Sequence, residues 1–388
     1  MIVLIILMIL VFSLFGVHMS YPFLLKRLSR KHLRNNYSNM NGDIDISEIS
    51  TDFPLVSVII PVYNEETVIE RRIDNIFDTS YPSEKIEIIV VDSGSKDKTR
   101  SIIEERFSNM VTLLTEEVRK GKAHAINLAL KICKGEMVII TDGPTLFDKG
   151  AIAQLVDSLK NSSVGGVSVL YKIPNADENY ITASEHVFWL YKDKIRILES
   201  RVYSTSWLSG EACAFKKNII TKVNEDTLAD DSNIALQLIS KGYRAVINER
   251  SFFTEKSPSD IHDYFRIKAR RTLGGLQETL RFKKFLFKRQ YGYFGLVIFP
   301  YRFFAEFITP IASNIAMVLS VLAAVEISLY VGSNIAVLMV IMLSFIGFIF
   351  RVKVVAYLIL HSITSIALIM LLTRRTNVLW SQSTTTRL

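Results

Sequence analysis

The apolar residues of this chain are concentrated in long runs at its two ends. Residues 1–25 contain no Asp, Glu, Lys or Arg, and residues 307–325 are likewise free of charge. A membrane-spanning helix needs about 20 consecutive apolar residues. A cleaved signal peptide is the alternative for residues 1–25, but its apolar core is usually about 7–15 residues long and follows basic residues, which this end lacks. We therefore predict an uncleaved spanning helix at residues 1–25 and about three more, near residues 308–331, 334–350 and 354–373.

Short apolar runs alternate with helical spacing through the middle of the chain. Runs rich in Val and Ile predict buried strands, at residues 56–62, 87–92 and 137–142. The segments between and after them space their apolar residues as helices do, at residues 65–78, 98–107 and 123–133. This alternation indicates an α/β fold with a mostly parallel sheet and helices on both faces.

Polar and acidic residues follow each of the three predicted strands. They are Asn64 and Glu65 after the first strand, Asp92 to Ser95 after the second, and Asp142 to Thr145 after the third. Ligands of such sheets bind at the carboxyl ends of the strands. The sequence therefore predicts a site at one rim of the sheet.

The basic residues of the chain lie next to its apolar ends. The formal net charge is +8; residues 26–34 hold five basic residues and no acid, and residues 266–289 hold nine basic residues and one acid, so the rest of the chain is at −5. This asymmetry predicts a cell-membrane protein with its middle domain on the cytoplasmic side and argues against nucleic-acid binding, the other common use of basic stretches. Two cysteines, Cys133 and Cys213, are too few for a disulfide framework or a four-Cys zinc site.

Together these patterns divide the chain into six parts. They are an N-terminal spanning helix (1–25), a basic juxtamembrane linker (26–53), a cytoplasmic α/β domain (54–265), basic interfacial amphipathic helices (266–306), about three spanning helices (307–373) and a tail (374–388). Three C-terminal crossings would place the tail outside the cell, and two would place it in the cytoplasm. The sequence leaves both alternatives open.

Six segments of the middle domain carry a family resemblance. They are "VSVIIPVYNEE", "IIVVDSGSKDKT", "RKGKAHAINLAL", "VIITDGPT", "SGEACAFKK" and "LADDSNIALQLISKGYRAV". In order and spacing, from about Val56 to Gly275, they resemble the membrane-embedded inverting nucleotide-sugar glycosyltransferases of the family that includes cellulose, chitin and hyaluronan synthases. The resemblance implies a GT-A-type, Rossmann-like α/β domain and a nucleotide-sugar donor, usually a UDP-sugar.

The resemblance assigns donor-binding roles to four positions before the metal-binding segment. Glu65, Asp92 and Ser95 would contact the nucleoside, where carboxylates accept hydrogen bonds from ribose hydroxyls and a base N–H. Lys122 opens a helix after Gly121, which suits a diphosphate. The alternatives are helix caps for Glu65 and Asp92 and a solvated helix start for Lys122.

Asp142 would hold the Mg²⁺ or Mn²⁺ that binds the donor diphosphate. The family pattern has a second acid two residues later, and this sequence has Pro144 there. Because Mg²⁺ is held by only one or two carboxylates together with substrate phosphates and water, Asp142 alone, or with Asp148, is sufficient. Weak dependence on metal is the alternative.

Asp231 is the candidate catalytic base, with Asp230 beside it. Asp231 stands 11 residues before Gly242, which matches the family's spacing. A transfer that inverts the anomeric carbon needs one base for the acceptor hydroxyl and no covalent intermediate. The alternative is an N-capping pair for a helix at residues 233–240.

The acceptor side is assigned to the "SGEACAFKK" segment and the residues before it. Ser209 and Gly210 let a sugar approach the backbone, and Trp207 is either a stacking platform for a sugar ring or a core residue.

Arg271 matches the arginine of a Gln-x-x-Arg-Trp motif of the processive synthases, where it would neutralise the leaving diphosphate; membrane-surface charge is the alternative. Lys268 and Thr272 replace the Gln and the Trp. The loss of the Trp favours short or lipid-linked transfer over long-chain polymerisation.

We therefore expect a membrane-bound inverting hexosyltransferase that moves a sugar from a nucleotide-diphosphate donor to a glycan or a lipid-linked acceptor. The alternatives are a processive polysaccharide synthase that extrudes its polymer through the helices and a non-catalytic relative that acts as a binding subunit.

Overall fold

The structure of the chain is a computed structural model that describes residues 6, 16–30, 53–331, 364, 366–371 and 386. The sheet contains eight strands, β1 (Val56–Val62), β2 (Ile86–Asp92), β3 (Val111–Thr115), β4 (Met137–Thr141), β5 (Leu146–Phe147), β6 (Val164–Lys172), β7 (Ala212–Lys216) and β8 (Arg244–Thr254). The helices are α1 (16–30), α2 (Ile69–Phe77), α3 (Thr99–Phe107), α4 (Lys122–Ile132), α5 (Ala151–Lys160), α6 (Tyr180–Val202), α7 (Asp230–Ser240), α8 (Ile261–Arg281), α9 (Phe299–Phe303) and α10 (Thr309–Val331). Short 3₁₀ turns precede β2 and follow α8.

The eight strands form one sheet in the order β3-β2-β1-β4-β7-β6-β8-β5. The pairs β3–β2, β2–β1, β1–β4 and β6–β8 are parallel, whereas β7 runs antiparallel to both β4 and β6, and β5 antiparallel to β8. The predicted mostly parallel α/β sheet is therefore confirmed. Because β1 has β2 on one side and β4 on the other, the chain leaves a crevice at their carboxyl ends, where ligands of such sheets bind.

Both faces of the sheet are covered. All seven residues of β1 are buried, and the side chains alternate between two hydrophobic clusters: Ile59 packs with α4 on one face, and Val58 and Ile60 pack with α2 and α5 on the other. Two-sided burial is why the central strands read as continuous apolar runs rather than as alternating ones.

Two predicted helix starts differ from the structure. α2 begins at Ile69 rather than at Glu65, because Asn64 has a left-handed backbone (φ 53°) and its side chain accepts a hydrogen bond from the Lys96 backbone N–H at 2.7 Å. α7 begins at Asp230, three residues before the predicted start, so both candidate catalytic acids lie in its first turn.

The C-terminal helices attach to the catalytic domain through α8 and α1. Helical structure continues from Phe294 through two π-helical turns and α9 into α10. Tyr21 of α1 stacks on Tyr301 with ring centroids 3.4 Å apart, and Leu25, Ile298 and Phe299 join the core beneath α4.

One helical stretch of the described residues is long and apolar enough to cross a membrane. It spans Phe294–Tyr330, 37 residues with a mean hydropathy of 2.0, and by length and composition alone it supports the predicted crossing near 308–331 only weakly. The structure continues the predicted interfacial helices directly into this stretch. The predicted crossing at 334–350, and most of those at 1–25 and 354–373, lie outside the described residues.

Gly274 of α8 fixes the approach of this helix to the loop before the catalytic acids. A Cβ at Gly274 would lie 2.9 Å from the Cβ of Ala229 and 2.9 Å from the carbonyl carbon of Leu228, whereas a Cβ at Gly275 would meet nothing closer than 3.5 Å. Overpacking of this kind costs about 1–3 kcal/mol, which exceeds the gain of about 1 kcal/mol from replacing a helical glycine by alanine.

Gly274→Ala should therefore lower the thermal unfolding temperature of the detergent-purified protein, measured by intrinsic fluorescence. Gly275→Ala is the matched control and should leave it unchanged or raised. An unfolding temperature of Gly274→Ala at or above that of the control would contradict the close approach of α8.

Candidate active site

A cavity of about 980 Å³ opens at the carboxyl ends of the parallel strands and extends to the C-terminal helices. Of the predicted site residues it is lined by Glu65, Lys122, Asp142, Trp207, Gly210, Asp230, Asp231 and Arg271. Asp92, Ser95 and Ser209 lie behind this lining. The cavity therefore brings together most of the residues that the sequence had singled out.

The ammonium group of Lys122 is the centre of the polar contacts on the cavity floor. Its Nζ lies 2.8 Å from Oδ1 of Asp142 and 3.4 Å from Oδ2 of Asp230, and it donates to the carbonyl of Gly210 at 3.2 Å. Burial lowers the pKa of Lys122, but the carboxylates of Asp142 and Asp230 outweigh burial and raise the pKa above its ordinary value. These carboxylates favour the charged form of Lys122, and its side chain is only 18% exposed, so the alternative of a solvated helix start is wrong.

Asp231 lies in the first turn of α7 and faces the same cavity. The N-cap of α7 is Ala229 and no side chain caps the helix, so the alternative of an N-capping pair is wrong. Burial, followed by the charges of Asp230 and Glu211, raises the pKa of Asp231 to about 7. A carboxylate with a pKa near the working pH is suited to take up a proton.

α8 holds α7 in place through a fully buried acid. Glu278 accepts hydrogen bonds from Asn233 of α7 at 2.7 Å and from Thr227 in the preceding loop at 2.8 Å. Such contacts fix the direction in which the first turn of α7 presents Asp231.

The two nucleoside candidates differ in their surroundings. Glu65 is buried against Gly143 and reaches the cavity wall. Asp92 accepts from the Ser95 backbone N–H at 3.2 Å, and the Ser95 hydroxyl accepts from the Asn64 backbone N–H at 2.8 Å. Neither carboxylate caps a helix, because α2 and α3 have Val68 and Lys98 as N-caps without side-chain hydrogen bonds.

Arg271 forms an ion pair with Glu211, 2.7 Å between Nη2 and Oε1. Arg270 also lines the cavity and makes no ion pair within the described ranges. Both guanidinium groups line the cavity, which for Arg271 favours the interpretation as a donor-binding residue over membrane-surface charge.

Two acids of the site were missed by the sequence analysis. Glu211 precedes β7, and Glu255 follows β8, accepts a hydrogen bond from Thr145 at 2.8 Å and has its pKa raised to about 8 by burial and by the charges of Glu211 and Asp142. β8 runs in the same direction as β4, whereas β7 runs in the opposite direction. The carboxyl end of β8 and the amino end of β7 therefore lie at the same rim as the carboxyl end of β4. Glu211 lies within the segment "SGEACAFKK", so the sequence offered a signal for it. Glu255 lies in none of the six segments, and only the directions of the strands show that it belongs to the site.

The acceptor candidates form one wall of the cavity. Trp207 is partly buried, with the Arg196 guanidinium 4.2 Å above its ring and Trp189 at 5.6 Å. Ser209 is buried and accepts a hydrogen bond from Arg196 at 3.1 Å, so it supports this wall without lining it. A Cβ on Gly210 would meet Lys122 Nζ at 3.2 Å and the Cβ of Asp231 at 3.7 Å, which leaves room there for a ligand atom only because Gly210 has no side chain.

Asp142 offers a carboxylate to a metal ion, and its side chain is 34% exposed to the cavity. Pro144 lines the cavity without a ligand atom. Asp148 instead accepts hydrogen bonds from Ser251 and the Phe252 backbone, so it is committed to the β5–β8 pairing. In the described part of the chain, no group of three or more His, Cys, Asp or Glu side chains is placed to hold a metal by itself. The residues therefore fit a metal whose remaining ligands come from a bound diphosphate.

The chain is similar to known glycosyltransferases. Residues 57–223 match the model of glycosyl transferase family 2. The chain is 26% identical over 289 residues to the probable glycosyltransferase YdaM of Bacillus subtilis, which covers 71% of this chain and 69% of that protein. It is 24% identical over 275 residues to an N-acetylglucosaminyltransferase of Azorhizobium caulinodans, covering 65% of this chain and 69% of the relative.

A solved structure resembles the chain over nearly its full length. It is the mannosyltransferase PcManGT of Pyrobaculum calidifontis in complex with GDP-Man and Mn²⁺, with a TM-score of 0.77, 25% identity and coverage of 96% of this chain and 100% of that one. The sheet and these similarities together show that the chain has a GT-A-like α/β fold, that its residues 57–223 match glycosyl transferase family 2, and that it is similar to glycosyltransferases.

Proposed function

We propose that the protein is a membrane-bound inverting hexosyltransferase, which moves a sugar from a nucleoside-diphosphate donor to a hydroxyl of a glycan or a lipid-linked acceptor. The observation that carries the proposal is Asp231, a partly buried carboxylate of raised pKa in a cavity whose floor is cationic.

The donor lies with its nucleoside toward the loops after β1 and β2. Glu65 accepts from the nucleoside, and Asp92 and Ser95 shape the loop against which the base packs. The panel of UDP- and GDP-sugars described below identifies the nucleobase, because a carboxylate accepts equally from the N–H groups of uracil and guanine. PcManGT was solved with GDP-Man.

The chemical step is a single displacement at the anomeric carbon. The acceptor oxygen forms a bond to this carbon while the bond from the carbon to the diphosphate oxygen breaks, and the acceptor proton passes to the Asp231 carboxylate. Attack on the face opposite the leaving group inverts the configuration, and one carboxylate is sufficient. Asp230 stays bound to Lys122 and raises the basicity of Asp231 by its charge.

The nucleoside diphosphate leaves with additional negative charge. Lys122, Arg270 and Arg271 face the cavity with permanent positive charge and would stabilise this charge as it develops. Mg²⁺ or Mn²⁺ would be held by Asp142 together with the diphosphate, and when bound it would supply further charge neutralisation. The complex of PcManGT with Mn²⁺ supports this assignment.

Membrane attachment is supported by three features. The apolar stretch Phe294–Tyr330 is long enough to cross a bilayer, α1 packs against its start through Tyr21, and the basic segments of residues 26–34 and 266–289 adjoin these helices. By the charge asymmetry, the catalytic domain lies on the cytoplasmic side of the cell membrane.

Asp231→Asn should abolish sugar transfer and leave nucleotide binding in place, because the amide fills the same volume and accepts no proton. Loss of a general base costs about 10²–10⁴ in rate. The measurement is nucleotide release by the detergent-purified protein over a panel of UDP- and GDP-sugars, with native lipid added as acceptor.

Asp226→Asn is the control, because Asp226 is exposed at the surface and pairs only with Arg281 among the described residues. The rate of this variant should match that of the wild type. Release by Asp231→Asn at the wild-type rate would exclude Asp231 as the base.

The transfer rate should rise with pH through neutrality. The base acts only as the carboxylate, and a pKa of about 7 leaves Asp231 mostly protonated at pH 6 and mostly ionised at pH 8. We expect kcat/KM for the acceptor to increase about tenfold between these values. A pH profile that is flat above pH 5 would show that Asp231 titrates like an ordinary surface carboxylate.

Metal binding should depend on the nucleotide, because the protein supplies one carboxylate and the diphosphate supplies the other oxygens. Titration of Mn²⁺ followed by electron paramagnetic resonance should show weak binding to the protein alone and at least tenfold tighter binding with the released nucleoside diphosphate present. Asp142→Asn should remove this enhancement, and Asp148→Asn should not. Equally tight Mn²⁺ binding without nucleotide would indicate a site built by protein ligands alone.

A further inference from the structure

The cavity has a second end, remote from the nucleoside loops. It is lined there by α1, α6 and the helical segment around α9, through His18, Val187, Tyr191, Lys192, Tyr301 and Ala305. None of these residues has a role in the displacement described above. The cavity nevertheless connects them with Asp231, so a ligand seated at the base has room to extend toward the C-terminal helices.

Lys192 is the unusual residue of this end. It lines the cavity and is partly buried, and within the described ranges it makes no ion pair. Its ammonium nitrogen lies 5.6 Å from the centroid of the Phe188 ring. Burial lowers the pKa of Lys192, and this effect outweighs the opposing charges of Glu306 and Glu199.

Two acids, Glu306 and Glu199, interact electrostatically with Lys192, but their hydrogen bonds and ion pairs are with other residues. Glu306 pairs with Arg302 at 2.9 Å, and Glu199 accepts from the Tyr21 hydroxyl at 2.7 Å and from Thr205 at 3.3 Å. Arg302 and Arg196 add positive charge near Lys192. Both acids thus lie near Lys192, and within the described residues neither forms an ion pair with it.

Lys268 of α8 also lines the cavity, and it pairs with Glu185 at 2.8 Å. Arg270 of α8, on the floor near Asp231, shares with Lys192 the lack of an ion pair within the described ranges. At the end formed by α1, α6 and α9, Lys192 is the cavity-lining lysine.

An exposed apolar surface lies beside Lys192. Met19 of α1 and Val187, Leu190 and Tyr191 of α6 are between 37% and 60% exposed, and all but Leu190 also line the cavity. A ligand at this end thus meets an ammonium group inside the cavity and an apolar surface at its edge. A phosphate on a hydrocarbon chain has these two properties together.

We propose that Lys192 binds the phosphate of a lipid acceptor, with the hydrocarbon chain leaving the cavity over Met19 and Val187 and the acceptor hydroxyl held at Asp231. The proposal rests on the proposed function and narrows the acceptor to a phosphate-bearing lipid that carries a hydroxyl. An ammonium group is a common partner of phosphate as a point charge. The displacement itself is unchanged: the acceptor proton goes to Asp231 and the nucleoside diphosphate leaves.

The test uses dodecyl phosphate in micelles of a neutral detergent with the full-length protein. Trp189 and Trp207 line the cavity, so their fluorescence reports binding there. The variant is Lys192→Met, which keeps the length of the side chain and removes its charge. The matched control is Lys194→Met, which removes an exposed charge two residues along the same helix. Dodecanol and inorganic phosphate are the two comparison ligands.

We expect Lys192→Met to weaken dodecyl phosphate binding at least tenfold and Lys194→Met to weaken it less than twofold. Dodecanol and inorganic phosphate should each bind the wild type at least tenfold more weakly than dodecyl phosphate. An equal affinity of wild type and Lys192→Met would overturn the proposal. An equal loss in both variants would also overturn it, because it would indicate general attraction to a basic surface. Inorganic phosphate that binds as tightly as dodecyl phosphate would show a phosphate site without a lipid.

A second measurement, the affinity of each variant for the nucleoside diphosphate, distinguishes loss of the lipid site from loss of the proposed transfer and from misfolding. Lys192→Met should bind it as the wild type does, which shows that the domain is folded. A protein that binds dodecyl phosphate through Lys192 but shows no Asp231-dependent transfer would keep the lipid site and reject the transfer. The reverse result would keep the transfer and reject the lipid site.

Discussion

The ammonium group of Lys122 holds the active site together. It stands between the carboxylates of Asp142 and Asp230, which come from a strand end and a helix start far apart in the sequence. Without a cation between them, two carboxylates in a partly buried cavity would repel each other or take up protons. Gly121 sets the position of this lysine, because its φ of 105° turns the chain directly into α4 and is disfavoured for any other residue.

The other side chains of the site are placed by the directions of the strands. β1, β2, β4 and β8 all deliver their carboxyl ends to one rim, and β7 runs the other way, so it delivers the residues before its start. Glu65, Asp142 and Glu255 therefore follow strands, whereas Gly210 and Glu211 precede one. The mixed sheet brings acids to the rim from both directions, and their mutual repulsion contributes to the raised pKa values of Asp231 and Glu255.

α8 links the catalytic floor to the C-terminal helices. On one side Glu278 fixes α7, and Arg271 reaches the cavity floor; on the other, the Gly275 carbonyl accepts from Arg302 at 3.2 Å and Thr279 donates to Glu306. Buried ion pairs contribute little net stability, because desolvation offsets their attraction. Their value here is positional, because they hold α8 between the C-terminal helices and the residues that line the cavity.

The sequence by itself determined the local elements and the chemistry that follows them. The apolar runs identified β1, β2 and β4, because strands buried on both faces are continuously apolar, and the acids after these strands identified the rim. Asp231 was found from its spacing to Gly242. The tertiary structure alone decided which of these groups meet. It brought Lys122 to Asp142 and Asp230, added Glu211 and Glu255 through the directions of β7 and β8, and left Lys192 in the cavity wall without an ion pair to any described residue. These outcomes depend on contacts between residues distant along the chain, and local spacing carries no information about such contacts.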